Sequence, residues 1–377
     1  MVIGVDASRA VTRQRTGTEA YAYFLIQALI PLASEHNCQL RLYFNQPPHP
    51  DLFLQANHVE HVTIPLPRLW THGRLAWELA RRPPDVFYTP AHVIPYGQRV
   101  PSVATIHDVG FHFFPETHTR SQRTYLNWST RHNGQNSRRV IVDSKATMED
   151  LIRLYNLNPA KIDVIYPGID PELHPVTDVG QLTAVQNKYG VIPPYLLYIG
   201  TLQPRKNLSR LIQAYIISHV DHQLVIAGKI GWRAKSLLDE IKNARSSLKQ
   251  RGDLSGEDRL LLPGYIADHD KAALISGAEA LLFPSLYEGF GFPVVEGNVC
   301  GTPVLCSNTS SLPEISNGAA LEVDPLDLEG LATGIQRITG DEDLRHQLVS
   351  AGIVNARRFS WETAAKMVLA TLKSAGS

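Results

Sequence analysis

Short apolar runs alternate with longer segments of helical periodicity along almost the whole chain. In the first half, the apolar runs predict strands at Val2–Asp6, Leu40–Phe44, Val86–Tyr88, Ser102–Ile106, Val140–Asp143 and Asp163–Tyr166. The segments between them predict helices at Thr18–Leu32, Gly73–Arg81, Ser121–Gln135 and Ser144–Tyr155. Because several of these strands show no polar alternation, they are typical of a parallel sheet covered by helices on both faces.

The second half repeats the pattern. Its apolar runs predict strands at Tyr195–Ile199, Gln223–Ala227, Leu260–Leu262, Ala280–Phe283, Pro303–Cys306 and Ala320–Val323. Helices are predicted at Leu208–Ser218, Arg233–Gln250, Asp268–Gly277, Pro293–Cys300, Asp327–Ile338, Asp341–Phe359 and Trp361–Lys373. Each series indicates a doubly wound α/β domain, which binds ligands at the carboxyl ends of its strands. The α/β chain is therefore predicted to contain two Rossmann-like domains facing an interdomain cleft.

The two series are separated by a segment rich in turn-forming residues. Residues 166–175 contain three prolines, and mostly polar residues continue to Pro194, which is typical of a linker. We therefore predict an N-terminal domain at residues 1–175, a linker at 176–194, a C-terminal domain at 195–357 and a final helical segment at 358–377. A length of 377 residues fits this division.

Charge and cysteine content narrow the class of protein. The 36 Lys and Arg residues balance 36 Asp and Glu residues, which argues against a dominant nucleic-acid-binding function. The three cysteines, Cys38, Cys300 and Cys306, suit a reducing cytoplasm. The longest apolar stretch, near Tyr21–Ala33, is shorter than the ~20 residues of a membrane span. We expect a cytoplasmic enzyme and leave peripheral contact with the inner membrane face open.

A glycine-containing loop after one predicted strand provides the sharpest candidate site. Glu288 and Glu296 flank this loop with seven residues between them, and Gly291 allows the backbone to pass close to a ligand. Pro293 suits the first turn of a helix, whose N-terminus favours anions. Amides for phosphate and carboxylates for a diol fit a nucleotide sugar. The alternative is an ordinary strand–turn–helix with Glu296 exposed on the helix surface.

A second segment places two cations at the start of a helix. Gly200 ends a strand, and Arg205, Lys206 and Asn207 follow in a proline-containing loop, with Asn207 as a predicted N-cap. Because the helix dipole disfavours cations there, an anion such as phosphate is expected between them. The alternative is a pair of solvated loop cations.

Two segments of the first half complete the candidates. His107 and Asp108 follow an apolar strand, so that His107 is predicted to donate to a sugar hydroxyl or to act on developing charge, with Asp108 orienting its ring. A structural histidine is the alternative. The polar segment 13–19 contains Gly17, and Thr18 is predicted to cap the following helix.

Metal and dinucleotide motifs are missing from the sequence. The two D-x-D matches, Asp268–Asp270 and Asp341–Asp343, begin predicted helices and are interpreted as helix caps. The chain contains no H-E-x-x-H, C-x-x-C or G-x-G-x-x-G pattern. The sequence therefore predicts no metal ligands and no bound cofactor.

Together these segments resemble the retaining glycosyltransferases of the GT-B type, family 4. The resemblance rests on the E-x7-E spacing, on G-T-L-Q-P-R-K-N at Gly200–Asn207 and on T-I-H-D at Thr105–Asp108. Four more short blocks extend it over nearly the full chain, at Val142–Ser144, Pro167–Asp170, Gly301–Val304 and Phe359–Trp361. Seven blocks in the same order make the resemblance highly specific.

The resemblance implies how the donor is bound. Glu296 is expected to hold the ribose hydroxyls, Glu288 to contact the donor sugar, and Lys206 to contact the diphosphate. The backbone amides of Phe290, Gly291 and Phe292 are expected to meet sugar hydroxyls.

The remaining implied roles fall on both halves of the chain. His107 matches the histidine expected near the reacting face of the sugar, and Gly17 the glycine of the loop that approaches donor phosphate and acceptor. Where many relatives carry arginine after the glycine at Gly200, this chain has Thr201, and Arg205 is the candidate replacement. The last helix is expected to cross back to the N-terminal domain.

The resemblance implies transfer of a hexose from a nucleotide-diphosphate sugar without a bound metal. Mannose is favoured, so that GDP-mannose is expected before UDP-glucose, and the acceptor is a sugar, a lipid-linked saccharide or a small molecule. His107, Glu288 and Lys206 are the candidate catalytic residues. Alternatives are another GT-B enzyme, either a phosphorylase or a nucleotide-sugar epimerase, and a non-catalytic nucleotide- or carbohydrate-binding scaffold. The oligomeric state is left open.

Overall fold

The computed structural model describes residues 1–12, 15, 17–53, 55–66, 69–231, 235–249 and 259–377. These residues form two compact units. The first unit comprises Met1–His112, His118–Gly168 and Phe359–Ser377, and the second comprises Phe113–Thr117 and Ile169–Arg358. Among the described residues, no helix combines the length and apolar character needed to cross a bilayer.

The first unit is built on a parallel sheet. Its strands are β1 (Val2–Asp6), β2 (Gln39–Phe44), β3 (Val59–Thr63), β4 (Val86–Thr89), β5 (Ser102–Ile106), β6 (Arg139–Val142) and β7 (Ile162–Val164). They lie in the order β3-β2-β1-β4-β5-β6-β7. All residues of β4 and β5 are buried, which confirms the prediction of a sheet covered on both faces. Of these seven strands, β3 was not predicted, because its sequence VEHVT is polar and half-exposed at the sheet edge.

Helices cover the faces of this sheet. They are α1 (Gly17–Glu35), α2 (Ala76–Arg81), α3 (Gly110–Phe113), α4 (Arg120–Asn136) and α5 (Lys145–Tyr155), and a π-helical turn at Trp70–Leu75 precedes α2. Helix α1 buries Tyr21, Leu25 and Leu29, whose four-residue spacing places them on one face. It continues past Pro31 beyond its predicted end.

In the second unit, the described residues form a parallel sheet of six strands. The strands are β8 (Tyr195–Ile199), β9 (Gln223–Ala227), β10 (Leu260–Gly264), β11 (Ala280–Phe283), β12 (Val304–Ser307) and β13 (Leu321–Val323). Their order is β10-β9-β8-β11-β12-β13. The helices of this unit are α6 (Val179–Tyr189), α7 (Leu208–Ser218), α8 (Lys235–Lys249), α9 (Asp268–Ser276), α10 (Phe292–Val299), α11 (Leu312–Ser316), α12 (Leu328–Gly340) and α13 (Glu342–Ala356). The predicted doubly wound architecture is confirmed in both halves.

Helix α6 lies within the segment 176–194, where a linker is predicted. The Asp178 carboxylate caps it by accepting from the Gln181 amide at 2.7 Å, and Val185 is buried in the core of the second unit. Lys188 and Tyr189, at its end, both donate to Asp270 of α9. The polar composition thus reflects a helix with one narrow buried stripe rather than an extended linker.

The chain ends in helix α14 (Trp361–Gly376), which belongs to the first unit. Its first residue, Trp361, stacks on Phe24 of α1 with ring centroids 5.7 Å apart. A Cβ atom at Gly168 would lie 2.3 Å from the Trp361 backbone nitrogen, so only glycine fits at that contact. This packing joins the end of the chain to the first unit.

Candidate functional site

Two neighbouring strands of the second unit bring the predicted donor segments together. Strand β8 pairs with β11 through Leu197 and Leu281, so their carboxyl ends lie side by side. The Leu286 amide donates to the carbonyl of Arg205 at 2.9 Å, which fixes the two loops to one another. The segments after Ile199 and after Phe283 therefore form one structure, although 82 residues separate Lys206 from Glu288.

A buried ion cluster lies where these loops meet. The Glu288 carboxylate accepts from Lys206 Nζ at 2.5 Å through one oxygen, and its other oxygen lies 2.8 Å from Arg205 Nη1. The Ser285 hydroxyl donates to the same oxygen as Lys206, also at 2.5 Å. Lys206 is 9% exposed and Glu288 7%, so the two predicted cations are not solvated loop residues. The cluster holds two positive charges and one negative charge.

The electrostatics of the cluster keep Glu288 ionised. Burial alone would raise the pKa of Glu288, but the charges of Arg205 and Lys206 and the hydrogen bonds from Lys206 and Ser285 lower it to about 2. The Lys206 ammonium also lies 4.8 Å from the centre of the Phe283 ring, a favourable cation–π contact. Glu288 is thus a carboxylate at neutral pH, and it supplies the anion that the two cations require.

Asn207 occupies the N-cap position of α7 but does not cap it with its side chain, contrary to prediction. Its backbone is left-handed, with φ 59°, and its side-chain amide donates to the Pro325 carbonyl at 2.8 Å. The side chain is therefore used to join two loops of the second unit rather than to satisfy the helix end.

The glycine loop is supported by two serines after β12. The Glu288 amide donates to the Ser310 hydroxyl at 2.9 Å, and the Ser311 hydroxyl donates to the carbonyls of Glu288 and Phe290 at 3.0 and 2.7 Å. Phe290 is 4% exposed and contacts Phe292 edge to face, with centroids 4.9 Å apart. The loop leading into α10 is therefore held by side chains rather than free.

Gly291 turns the chain into α10, as the sequence predicts. It occupies the N-cap position with φ 112°, and Pro293 lies in the first turn. A Cβ atom on Gly291 would lie 2.5 Å from Cδ2 of Leu312. Both the backbone angle and the close approach therefore require glycine.

We expect Gly291→Ala to destabilise the protein by about 2–5 kcal/mol, since it combines a strained angle with a clash. The control is Gly190→Ala, where φ is also positive, at 71°, but a Cβ would meet nothing within 4 Å. Urea unfolding of both variants measures the difference. Equal losses of unfolding free energy would show that the Leu312 contact contributes nothing.

Glu296 lies one turn into α10 and is buried, not exposed as in the simpler interpretation. Its carboxylate binds Lys271 Nζ of α9 at 2.5 Å.

Asp268 and Asp270 lie in the first turn of α9 and do not cap it, contrary to prediction, because α6 supplies donors to Asp270. At the other D-x-D match the Asp341 carboxylate accepts from the Leu344 amide at 2.9 Å, so the predicted cap of α13 is confirmed.

In the first unit, His107 follows β5 and binds Asp143, a residue of the Val142–Ser144 block that was not predicted to contact it. Its Nδ1 lies 2.6 Å from Asp143 Oδ2, and its Nε2 donates to the Pro90 carbonyl at 2.8 Å. Asp108 does not orient the ring, contrary to prediction, because its carboxylate accepts from the Gly110 amide at 2.8 Å. Strands β5 and β6 pair through Ile106 and Val142, which places His107 beside Asp143.

Both ring nitrogens of His107 face acceptors, so the imidazolium form satisfies both. Burial lowers the pKa of His107, but the Asp143 charge and the hydrogen bonds to Asp143 and Pro90 outweigh it, and the pKa is raised. The raised pKa favours the protonated ring, which pairs with the Asp143 carboxylate at the end of β5. A sugar hydroxyl would receive a ring hydrogen bond only by replacing Pro90 or Asp143.

We expect the coupling free energy between His107 and Asp143 to fall as pH rises. A group whose pKa is raised by folding contributes stability that is complete below its unfolded pKa, near 6.5, and is lost as pH passes the folded pKa. Urea unfolding of His107→Gln, Asp143→Asn and the double variant, from about pH 5 to about pH 9, gives this coupling. A pH-independent coupling would mean that the pair is neutral when folded.

The other predicted site residues lie at the ends of elements. Gly200 directly follows β8, and its amide donates to the Ala227 carbonyl at 3.0 Å. Gly17 is the first residue of α1, so Thr18 lies inside the first turn instead of capping it. Arg13, Gln14 and Thr16 of the predicted loop lie outside the described residues.

Sequence reasoning missed five residues that support the site, namely Lys271, Ser285, Ser310, Ser311 and Asp143. Asp143 could have been found from the sequence, because it directly follows an apolar strand, β6, which pairs with β5. No sequence pattern indicates the three serines, since their role depends on loop conformations. Among the described residues, no group of three His, Cys, Asp or Glu side chains is placed to hold a metal ion.

Comparisons with known proteins agree with this architecture. Residues 186–354 match the family model described as "Glycosyl transferases group 1", and residues 15–173 match "Glycosyltransferase Family 4". The O-antigen chain mannosyltransferase B of Escherichia coli is 30% identical over 334 residues, which is 88% of this chain and 81% of that protein.

Solved structures extend the likeness to the whole chain. Sucrose-phosphate synthase from Thermosynechococcus elongatus has a TM-score of 0.75 at 20% identity, covering 99% of this chain and 98% of that one. HepE of Anabaena, in complex with UDP and glucose, has a TM-score of 0.75 at 18% identity and covers 99% of both chains. At these identities the two structures show the fold alone.

Proposed function

From the premise that this chain belongs to glycosyltransferase family 4 and has the GT-B fold, we propose that it transfers mannose from GDP-mannose with retention of configuration. The acceptor is a sugar, a lipid-linked saccharide or a small molecule. The observation that carries the proposal is the buried cluster of Arg205, Lys206 and Glu288 at the carboxyl edge of the second sheet.

The cluster suits a departing diphosphate. Its two cations, Arg205 and Lys206, share the Glu288 carboxylate in a site that is largely shielded from water. Arg205 offers a planar fork and Lys206 a point charge, both of which are suited to phosphate oxygens. Stabilising the negative charge that develops on the leaving group is the main task of such a site.

Glu288 and Glu296 are proposed to recognise the two hydroxylated parts of the donor. Glu296, on the first turns of α10, binds the ribose, and Glu288 contacts the transferred sugar. Both are buried and both already accept hydrogen bonds from lysines, so they are positioned as acceptors before the donor arrives. The amides of Phe290, Gly291 and Phe292 lie between them and meet sugar hydroxyls.

Glu288 is a poor candidate for a covalent nucleophile. Its pKa of about 2 and its three donors, Arg205, Lys206 and Ser285, make it a weakly basic carboxylate. This supports a front-face mechanism, in which the acceptor attacks on the side from which the diphosphate leaves. His107, held by Asp143, is proposed to act on the charge that develops during that step.

The choice of GDP-mannose rests on the relatives. The Escherichia coli relative at 30% identity and a Salmonella typhimurium relative at 25% identity over 251 residues are both named O-antigen chain mannosyltransferases. UDP-glucose is the second candidate donor, since one structural neighbour is HepE of Anabaena in complex with UDP-glucose.

A donor panel tests the proposal. Nucleoside diphosphate release from GDP-mannose and UDP-glucose is measured without acceptor, with and without EDTA. We expect GDP-mannose to be favoured by about tenfold or more and EDTA to have no effect, because the proposed site needs no metal. Sugar release that depends on free phosphate would indicate a phosphorylase. Sugar interconversion without nucleotide release would indicate an epimerase. The absence of turnover with any donor would indicate a non-catalytic binding scaffold.

We expect Glu296→Gln to weaken GDP binding by about tenfold or more, since hydrogen bonds to a charged group contribute about 1.5–3 kcal/mol. The control is Glu279→Gln, which removes a carboxylate of the same unit that pairs with Arg345 at 3.2 Å. Calorimetric titration with GDP measures both variants. Unchanged affinity in Glu296→Gln would remove Glu296 from the nucleotide site.

A further inference from the structure

Helix α4 of the first unit carries an unusual excess of positive charge. Residues 118–142, which include this helix, contain five arginines and no aspartate or glutamate, although the whole chain is balanced. Arg120 and Arg123 lie three residues apart and Asn127 four residues further, so the three share one face of the helix. Among the described residues, neither of these two guanidiniums forms an ion pair.

This face borders a pocket of about 390 Å³ within the first unit. It is lined by Phe111, His112, Arg120, Arg123, Thr124 and Asn127. The buried ring of Phe111 forms an apolar part of the wall, whereas the rest of the lining is polar. The pocket thus combines two exposed guanidiniums with an open depression large enough for a small group.

The polar groups of this pocket are arranged mainly as donors. His112 Nε2 donates to the Tyr155 hydroxyl at 2.6 Å, and that hydroxyl donates to Asn127 Oδ1 at 3.0 Å. Because the Asn127 oxygen is already engaged, its NH₂ group remains the part that suits a ligand. Asp150, whose charge acts on His112, is itself paired with Arg153 at 2.5 Å. None of the described residues that line the pocket carries a carboxylate that would compete for its two arginines.

The chain also places this pocket close to the end of β5. His112 follows His107 by five residues, which spans at most about 17 Å even in a fully extended chain. A ligand in the pocket therefore lies within the length of a small saccharide from His107, the candidate catalytic residue at the end of β5.

We propose that the Arg120–Arg123 pocket binds a phosphate group of the acceptor. Paired arginines on one helix face bind phosphate oxygens by bidentate, charge-assisted hydrogen bonds, and neutral saccharides give them nothing to neutralise. The acceptor is accordingly a phosphate-bearing molecule, either a soluble sugar phosphate or a lipid-linked saccharide. The identification of the ligand as the acceptor rests on the proposed transferase function, whereas the binding of phosphate by the two arginines does not.

Calorimetric titration with inorganic phosphate tests the site, with GDP present at saturation so that the donor site is filled. We expect wild-type protein to bind phosphate and Arg120→Gln/Arg123→Gln to bind it at least about tenfold more weakly. The control is Arg99→Gln, an exposed arginine before the amino end of β5, at the opposite edge of the sheet from His107. Thermal unfolding verifies that the double variant is folded. No phosphate binding by wild type, or equal binding by the double variant, would overturn the proposal.

Vesicles distinguish the two sources of the phosphate. If phosphatidylglycerol vesicles sediment the wild-type protein but not the double variant, and phosphatidylcholine vesicles sediment neither, a lipid-linked phosphate is bound. If vesicles bind neither protein while the arginines still determine phosphate binding, a soluble phosphate is bound, and both results support the pocket. GDP-mannose hydrolysis by wild type is measured separately. Its absence would overturn the proposed donor while leaving phosphate binding intact.

Discussion

Replacing Lys206 by methionine is expected to lower the turnover of donor by about 100- to 1000-fold, the range found when one oxyanion donor is removed. Methionine keeps an apolar stem of similar length against Phe283 and deletes the ammonium that lies 2.5 Å from Glu288. The loss should appear in kcat for GDP release, because the charge acts on the leaving diphosphate. Arg205 remains paired with Glu288, so the carboxylate is not left alone in a buried site.

Lys188→Met provides the matched control. Lys188 also pairs with a carboxylate of the second unit, Asp270, at 2.6 Å, but it lies on α6 and its partner lies on α9, so the pair belongs to neither donor loop. Thermal unfolding of both variants separates loss of stability from loss of turnover. A kcat for Lys206→Met within a few-fold of wild type would remove Lys206 from the proposed leaving-group site.

The presence of an anion between Arg205 and Lys206 can be predicted from the sequence, but the residue that supplies it cannot. A pair of cations at a helix start conflicts with the helix dipole, and that conflict correctly indicates an anion nearby. The structure places the Glu288 carboxylate there, and the contact of the two cations with phosphate stays a prediction. Finding Glu288 requires knowing that β11 lies beside β8, which follows from strand order and not from any local pattern.

The same limit explains the partner of His107. Asp108 was predicted to orient the His107 ring because it is adjacent in sequence. Successive residues after a strand, however, point to different sides. Asp143 occupies the matching position after the neighbouring strand and therefore meets the ring. Strands with wholly apolar sequences were predicted almost to the residue, whereas the half-exposed β3 and the amphipathic α6 were missed. Their burial depends on tertiary neighbours more than on their own composition.

Glu288→Gln is expected to separate nucleotide binding from transfer. The glutamine keeps the size of the side chain but removes the negative charge that neutralises one of the two cations. Because this negative charge no longer competes for Arg205 and Lys206, GDP binding should strengthen, by about tenfold for each 1.4 kcal/mol gained. Turnover should nevertheless fall by about 100-fold or more, since the carboxylate proposed to orient the donor sugar is lost. GDP calorimetry and steady-state kinetics on the same preparation measure the two effects.

The stability of this variant provides an independent check with a defined sign. The pKa of Glu288 is lowered from 4.5 to about 2 on folding, so its contribution is present above about pH 4.5 and is lost as pH falls toward 2. A shift of that size corresponds to an upper value of about 3 kcal/mol. Wild type should therefore exceed Glu288→Gln in unfolding free energy at pH 7 and approach it near pH 3. Glu279→Gln, which breaks an ordinary ion pair of the same unit, should leave GDP affinity unchanged.

The combination of outcomes decides between two roles for Glu288. Tighter GDP binding together with slow transfer means that the carboxylate holds the cations in place until the diphosphate replaces it, and then orients the sugar. Weaker GDP binding by about tenfold or more would instead mean that the ion cluster itself forms the diphosphate site, because removing Glu288 would then displace Arg205 and Lys206. In that case Glu288 is a positioning residue for the two cations, and the recognition of the transferred sugar must lie in the amides of Phe290, Gly291 and Phe292.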